Sequence, residues 1–280
     1  MGKVKEAVFS TFYSLGLYDD NVNVNVNDNY SGKRIRYLDI FSGSGSVGLE
    51  SLSRGATHCT FVDLSDDCCA AAARNMEWCF GTTSSSRGTT ASSSSSSSSS
   101  SNGNNNSINN KSRSGIPIQN YNDKEDETAT STTTPLSKTF QIVCADYLQA
   151  LRDPASVGMD PHQVPYHIVT LCPPYEEVVY ADLLEAVANS PLIGEDTVVL
   201  VEYPIELKTL PHVIRRTAVV SDDDDDVTRD CMGSSSTGSA GPGALIGIRN
   251  RKYGRTVIAM YVCNPTGRLQ GAESRPEEFV

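Results

Sequence analysis

Two short stretches of this chain carry groups that could do chemistry. Leu38-Asp39-Ile40-Phe41-Ser42-Gly43-Ser44-Gly45-Ser46-Val47-Gly48 is an apolar run that breaks into glycines shortly after an acid. Glycines permit a tight turn and let a ligand come close to the backbone. Asp39 could meet an amino group on such a ligand. Asp63, twenty positions past Gly43, is spaced to take ribose hydroxyls. The second stretch, Cys172-Pro173-Pro174-Tyr175, is a stiff turn that ends on an aromatic ring. The Pro173 carbonyl can accept a hydrogen bond from an amine N–H. Tyr175 offers a stacking face to a base, worth ~1–3 kcal/mol per stack. An exocyclic amine on a base is a poor nucleophile, because its lone pair is delocalised into the ring. Acceptors that hold its N–H groups and fix the line of attack are what such a reaction needs.

Each stretch alone is ambiguous. Gly43-x-Gly45-x-x-Gly48 also fits a dinucleotide fingerprint with Asp63 as its acid, or a turn that merely joins a strand to a helix. The position of Asp39 ahead of the turn, and the downstream Pro-Pro-Tyr, weigh against a nicotinamide cofactor. Pro173-Pro174 can equally be a rigid loop, and Tyr175 an aromatic that caps a core. Asp146 reads either as a ligand-facing acid or as a helix N-cap.

These residues need elements to hold them, and the periodicity supplies candidates. A helical stripe runs over Lys3–Leu15, with Val4, Ala7, Val8, Phe12 and Leu15 on one side. Strands are predicted over Ile35–Phe41, Cys59–Leu64, Phe140–Cys144, Tyr166–Leu171 and Thr197–Val201. Helices are predicted over Ser46–Ser53, Asp66–Phe80 and Val178–Ala188. Leu245–Arg249 and Thr256–Val262 read as a terminal hairpin around Arg251–Gly254. Alternating strands and helices predict an α/β fold, a parallel sheet with helices on both faces and an antiparallel hairpin strand at its edge.

Residues 82–139 are mostly Ser, Asn, Thr and Gly, including an unbroken serine run from Ser92 to Ser101. Such a segment has too little apolar surface to offset its ordering entropy and reads as a disordered insertion. Residues 221–243 read as a second insertion, and Asn21–Asn29 as a shorter one. The sequence thus predicts a single domain over 1–264, interrupted by these insertions, and a flexible tail over 265–280.

The formal net charge is −11. Residues 221–243 hold six Asp and one Arg, a net −5, which leaves −6 for the rest. That balance does not favour nucleic acid, so such binding would use local patches. Lys3/Lys5, Lys33/Arg34/Arg36 and Arg249/Arg251/Lys252/Arg255 are the candidates, and each also reads as ordinary solvated charge. Eight cysteines, at 59, 68, 69, 79, 144, 172, 231 and 263, form no C-x-x-C pair. They read as reduced thiols in an intracellular protein, with no zinc site and no disulfide framework. No apolar run approaches the ~18 residues of a membrane span.

The run from Asp39 to Ala56, DIFSGSGSVGLESLSRGA, resembles the signature of the RsmD-type 16S ribosomal RNA guanine-N2 methyltransferases. Val4–Phe9 resembles that family's helix ahead of the cofactor strand, and Cys172–Tyr175 its Asp-Pro-Pro-Phe/Tyr motif. Val201-Glu-Tyr-Pro204 and Tyr253-Gly-Arg-Thr256 look closest to the plant, plastid-type branch. The resemblance implies a seven-stranded class I methyltransferase sheet and S-adenosylmethionine as cofactor. It also implies methyl transfer to guanine N2 in ribosomal RNA or a small-subunit particle, by a monomer in a plastid or the cytoplasm that uses no metal. Residue by residue, Asp39, Gly43 and Gly45 would hold the methionine end of the cofactor. Asp63 would take the ribose hydroxyls, and Asp146 would lie near the adenine amine. Cys172, Pro173, Pro174 and Tyr175 would form the transfer site.

Two departures stand out. Cys172 replaces an Asp or Asn, and a thiol is a weak acceptor. The basic segment that the family has ahead of Lys3 is also lacking. These departures motivate a second reading, a methyltransferase-like RNA or ribosome-assembly binder without catalysis. N6-adenine or protein-glutamine acceptors, and a nicotinamide-linked oxidoreductase, are further alternatives.

Overall fold

The computed structural model describes residues 2–18, 35–81, 116–121, 138–160, 165–216, 243–266 and 269–280. The Asn21–Asn29 segment, residues 221–242 and most of 82–139 lie outside the described residues, as does Cys231.

At the middle of the sheet lie three strands that read as apolar runs in the sequence. β1 (Ile35–Ile40) pairs in parallel with β2 (Ala56–Asp63) on one side and β5 (Tyr166–Leu171) on the other. Strands buried on both faces need no alternation, and only the second position of β1 and of β5 escapes full burial. Outward from β2 come β4 (Lys138–Cys144), parallel, and β3 (Ile116–Tyr121), antiparallel. Outward from β5 come β6 (Ile193–Pro204), parallel, then β9 (Thr256–Cys263), β8 (Ala244–Tyr253) and β7 (Val213–Arg215), each antiparallel to its predecessor. The order is β3-β4-β2-β1-β5-β6-β9-β8-β7. The predicted seven-stranded class I arrangement is present, with one further strand at each edge.

Among the described residues, five α-helices accompany the sheet: α1 (Gly2–Ser14), α2 (Ser46–Ser53), α3 (Asp66–Phe80), α4 (Tyr147–Arg152) and α5 (Tyr180–Asn189). Two apolar cores lie against the sheet. One holds Val8, Phe9 and Phe12 of α1 with Leu52, Phe61, Met76 and Met260. The other holds Leu151 of α4 and Leu183, Leu184 and Val187 of α5 with Leu38, Val169, Val199 and Tyr261. Helices therefore cover both faces, as predicted.

Three expectations need correction. β3 lies inside the stretch 82–139, which reads as a disordered insertion, and it forms a ladder with β4 within that mostly polar stretch. β4 also begins at Lys138, two residues before the predicted insertion ends. The hairpin does not merely add an edge strand: β9 lies between β6 and β8. Nor is 265–280 a loose tail. Its last turn, Pro276–Phe279, buries Phe279 against Tyr261 and His212, at 5.4 Å between ring centroids in each case. Glu278 accepts the Asn250 amide at 2.8 Å and pairs with Arg251 at 3.0 Å. An aromatic and a paired acid outweigh the polar residues around them.

Candidate active site

In an open parallel sheet, ligands sit outside the carboxyl ends of the strands, where the strand order reverses. Here that switch falls between β1 and β5, and the two stretches picked out in the sequence leave the sheet there. Phe41–Gly45 follows β1, and Cys172–Tyr175 follows β5. The Cys172 amide still reaches the Ile40 carbonyl, at 3.4 Å.

The glycine turn is strained at its entry. Phe41 holds a left-handed backbone, φ 62°, although it is not glycine, and its ring lies 4.8 Å from that of Tyr147. Gly43 (φ 53°) and Gly45 (φ 78°) follow. A side chain on Gly43 would meet nothing within 4 Å. Gly45, the N-cap of α2, lies against Phe61 and Ala72, and a Cβ on Gly48 would collide with Phe61 and come within 2.7 Å of Cys59 Sγ. The three glycines thus divide their tasks: Gly43 faces open space, whereas Gly45 and Gly48 let the helix seat on β2.

Asp39 is 1 % exposed, and both its oxygens are taken by the protein. One accepts the Gly48 amide at 3.0 Å and the other the Thr170 hydroxyl at 2.8 Å. Burial pushes its carboxyl up to about 7 against these two hydrogen bonds, with the Asp63 charge adding to the rise. Asp39 therefore clamps β1, α2 and β5 together. Asp63 lies at the crevice rim, accepting the Gly43 amide at 2.8 Å and the Ser65 amide at 2.9 Å. Asp146 caps α4, accepting from Leu148 N at 2.9 Å and Gln149 N at 3.2 Å. The N-cap alternative is thus the one the structure takes, through one of the two carboxylate oxygens. Ser42, whose hydroxyl is buried, finds no hydrogen-bond partner for it among the described residues.

Across the crevice, Pro173 is buried and Pro174 exposed. The half-buried Tyr175 donates its phenol proton to Glu202 Oε1 at 2.8 Å. Its oxygen also lies 2.6 Å from Thr256 Oγ1, which must then be the donor. Burial raises the Tyr175 phenol; the Thr256 bond opposes this and the Glu202 carboxylate adds to it. Cys172 lies beside the same carboxylate, one residue beyond the Leu171–Val201 pair. Burial, then the Asp39 and Glu202 charges, hold its thiol well above the usual range. A protonated thiol is no nucleophile.

The sequence reading missed four participants: Phe41, Thr170, Thr256 and Glu202. Glu202 alone left a signal, a charge inside the apolar run of β6. It stands level with Cys172, because Leu171 pairs with Val201.

The residues fit an adenosine-type cofactor bearing a methionine moiety. The space over Gly43, the buried Ser42 hydroxyl without a partner among the described residues and the rim carboxylate of Asp63 lie together around one cradle. Among the described residues, no group of three or more His, Cys, Asp or Glu could hold a metal ion. No helix among them is long and apolar enough to cross a membrane.

Parts of this chain are similar to known proteins. The chain is 44% identical over 63 residues to the uncharacterized methylase RP545 of Rickettsia prowazekii, covering 22% of this chain and 23% of that one. It is 43% identical over 61 residues to YlbH of Bacillus subtilis, provisionally named an rRNA methyltransferase, covering 22% and 24%. Those matches thus span about a quarter of the relatives' length. Among solved structures, an Escherichia coli protein provisionally named methyltransferase yhhF overlays 94% of this chain and 87% of its own, at 14% identity and a TM-score of 0.48. Residues 1–108, which include the glycine turn and Asp63, match the family described as Conserved hypothetical protein 95.

Proposed function

We propose that this chain is an S-adenosylmethionine-dependent methyltransferase whose acceptor is the exocyclic N2 amine of a guanine in small-subunit ribosomal RNA. The observation that carries the reading is the meeting of the two loops at one crevice. A glycine turn with a ribose-type acid lies on one side, and Pro-Pro-Tyr lies on the other. The antiparallel β9 beside β6 supports it against a nicotinamide enzyme, whose sheet continues in parallel at that place. The rRNA reading draws on the name carried by YlbH, and the plastid-type variant on Val201–Pro204 and Tyr253–Thr256.

When bound, the cofactor supplies a methyl group on a cationic sulfur, which needs no metal. The protein's task is then positioning. The Asp63 carboxylate takes the ribose hydroxyls, and the backbone at Gly43 with the Ser42 hydroxyl lines the methionine end. Gly45 and Asp39 shape that turn from behind, and Asp146 borders the adenine side with its second oxygen. Tyr175 stacks on the base, and the Pro173 carbonyl accepts one N–H of its amine. Residues 1–264 form the methyltransferase unit.

Calorimetric titration with S-adenosylhomocysteine tests the cofactor half of the reading. Micromolar affinity is expected for the wild type, with at least a tenfold loss in Asp63→Ala. A folded wild type that binds none would overturn the reading. For the acceptor half, tritium transfer to undermethylated small-subunit rRNA is expected, with the label recovered in N2-methylguanosine. Label recovered in N6-methyladenosine, or in glutamine of a protein substrate, would reassign the acceptor. Cofactor binding without any transfer would select the non-catalytic binder.

A further inference from the structure

Glu202 is a half-buried carboxylate without a cationic partner at a place where a cation is expected. Among the described residues, none of the Lys, Arg or His side chains comes within ion-pairing distance of it. Its carboxylate accepts instead from a neutral donor, the Tyr175 phenol at 2.8 Å, while its backbone carbonyl takes the Tyr180 hydroxyl at 3.2 Å. Partly desolvating a carboxylate is costly unless charge or hydrogen bonds compensate it. A neutral phenol compensates only in part, and a carboxylate set at a crevice with no cation beside it among the described residues is a functional candidate.

The neighbourhood is the transfer site itself. Cys172, just past the end of β5, and Glu202, within β6, stand one residue beyond the Leu171–Val201 pair of these parallel neighbours. Position 172 does not supply the side-chain acceptor that an amine needs, since a protonated thiol is a weak acceptor. We infer that Glu202 supplies it, acting as the catalytic acceptor for the reacting amine and as the local counter-charge to a cationic methyl donor. The inference rests on the methyltransferase reading above. As the amine nitrogen gives its lone pair to the methyl carbon, the carbon–sulfur pair returns to sulfur and the nitrogen becomes cationic. One of its protons passes to the Glu202 carboxylate and then to water, so atoms and charge balance. Thr256, by donating to the Tyr175 oxygen, leaves the phenol proton directed at Glu202 and is a positioning residue.

The test compares two cofactor analogues on the full chain. S-adenosylhomocysteine is uncharged at sulfur. Sinefungin carries an ammonium group where the methyl group would be. The wild type is expected to prefer sinefungin, and Glu202→Gln to lose about tenfold of that preference while keeping its S-adenosylhomocysteine affinity. Unchanged homocysteine-analogue affinity certifies that the variant is folded. Thr256→Val, which removes a hydrogen bond but no charge, is expected to leave the preference intact. Adding Cys172→Asp to Glu202→Gln is expected to restore it, by returning a carboxylate to the same point.

A preference identical in wild type and Glu202→Gln, with S-adenosylhomocysteine bound by both, overturns the role of Glu202 and leaves the cofactor reading standing. If the wild type binds neither analogue, the cofactor reading fails and the inference falls with it.

Discussion

Gly43 and Gly48 lie in one turn, and a methyl group placed on each asks opposite questions. At Gly43 the backbone is left-handed and the space beyond it is open. Gly43→Ala is expected to lower stability by only about 1 kcal/mol, the ordinary cost of that conformation. Its effect should appear in S-adenosylhomocysteine affinity, weakened at least tenfold by a methyl standing in the cradle. Gly48→Ala drives its Cβ into Phe61 and Cys59. It is expected to cost about 1–3 kcal/mol of stability, as overpacking does, and to bind the ligand normally once folded. Denaturant titration beside calorimetry separates the two. A binding defect in Gly48→Ala, or none in Gly43→Ala, would contradict this division of tasks. The sequence showed that glycines were needed here, but not which one faces the ligand. That depends on where Phe61 of a neighbouring strand lies. Asp39 illustrates the same limit: an acid near a strand end can serve a ligand or a fold, and only the Gly48 and Thr170 contacts decide.

At the level of elements, apolar runs and the turn after them were legible because burial on both faces leaves a long uninterrupted signal. The strands of the parallel core, and the helices after the glycine turn and after Asp63, lie where periodicity put them. β3 was not legible, since its pairing comes from β4 and its short Ile116-Pro-Ile118 signal lies within a long run of Ser, Asn and Thr. The terminal segment was missed for a related reason, as one Phe among polar residues carries no period. Its contribution is measurable. Phe279 packs on Tyr261, His212 and the backbone at Gly247. Phe279→Ala is expected to cost about 3 kcal/mol or more, the usual range for emptying a buried aromatic site. If thermal unfolding showed less than about 1 kcal/mol, the segment would be a loose cover and not part of the core. Because β8 and β9 carry both this anchor and Thr256, a loosened terminus should also weaken the hold on Tyr175.

For the whole molecule, two buried groups give the stability opposite pH dependences. Asp39 is raised to about 7 in the fold, chiefly by burial. The groups facing it are Thr170, the Gly48 amide, Asp63, Tyr37, Cys59 and Cys172. Its folded state keeps a proton that the unfolded chain releases above about 4. Its contribution is therefore present below that point and is lost as pH rises through about 7. His58 is lowered to about 4 by burial and then by Arg36, so its contribution is present above about 6.5 and is lost as pH falls toward 4. Between about 4 and 6.5 the two slopes oppose each other and largely cancel. Asp39→Asn keeps both hydrogen bonds possible, because the Thr170 hydroxyl can turn to accept. In that variant only the His58 slope remains, and stability should climb with pH across this window by up to about 1.4 kcal/mol per unit. Denaturant midpoints at pH 4.5, 5.5 and 6.5 check this, and parallel trends in the two proteins would refute it.

The bond from Thr170 to Asp39 spans 131 residues of sequence. During synthesis β1 and β2 leave the ribosome early, but the strand that completes the other side of β1 follows only after that whole interval. At ~5–20 residues per second, roughly ten seconds pass with the glycine turn already made and β1 still an open edge. An unpaired apolar strand edge is where a nascent chain is most exposed to wrong partners. The centre of the finished sheet is thus among the last places to close, and it is there that slow translation or crowding would do the most harm.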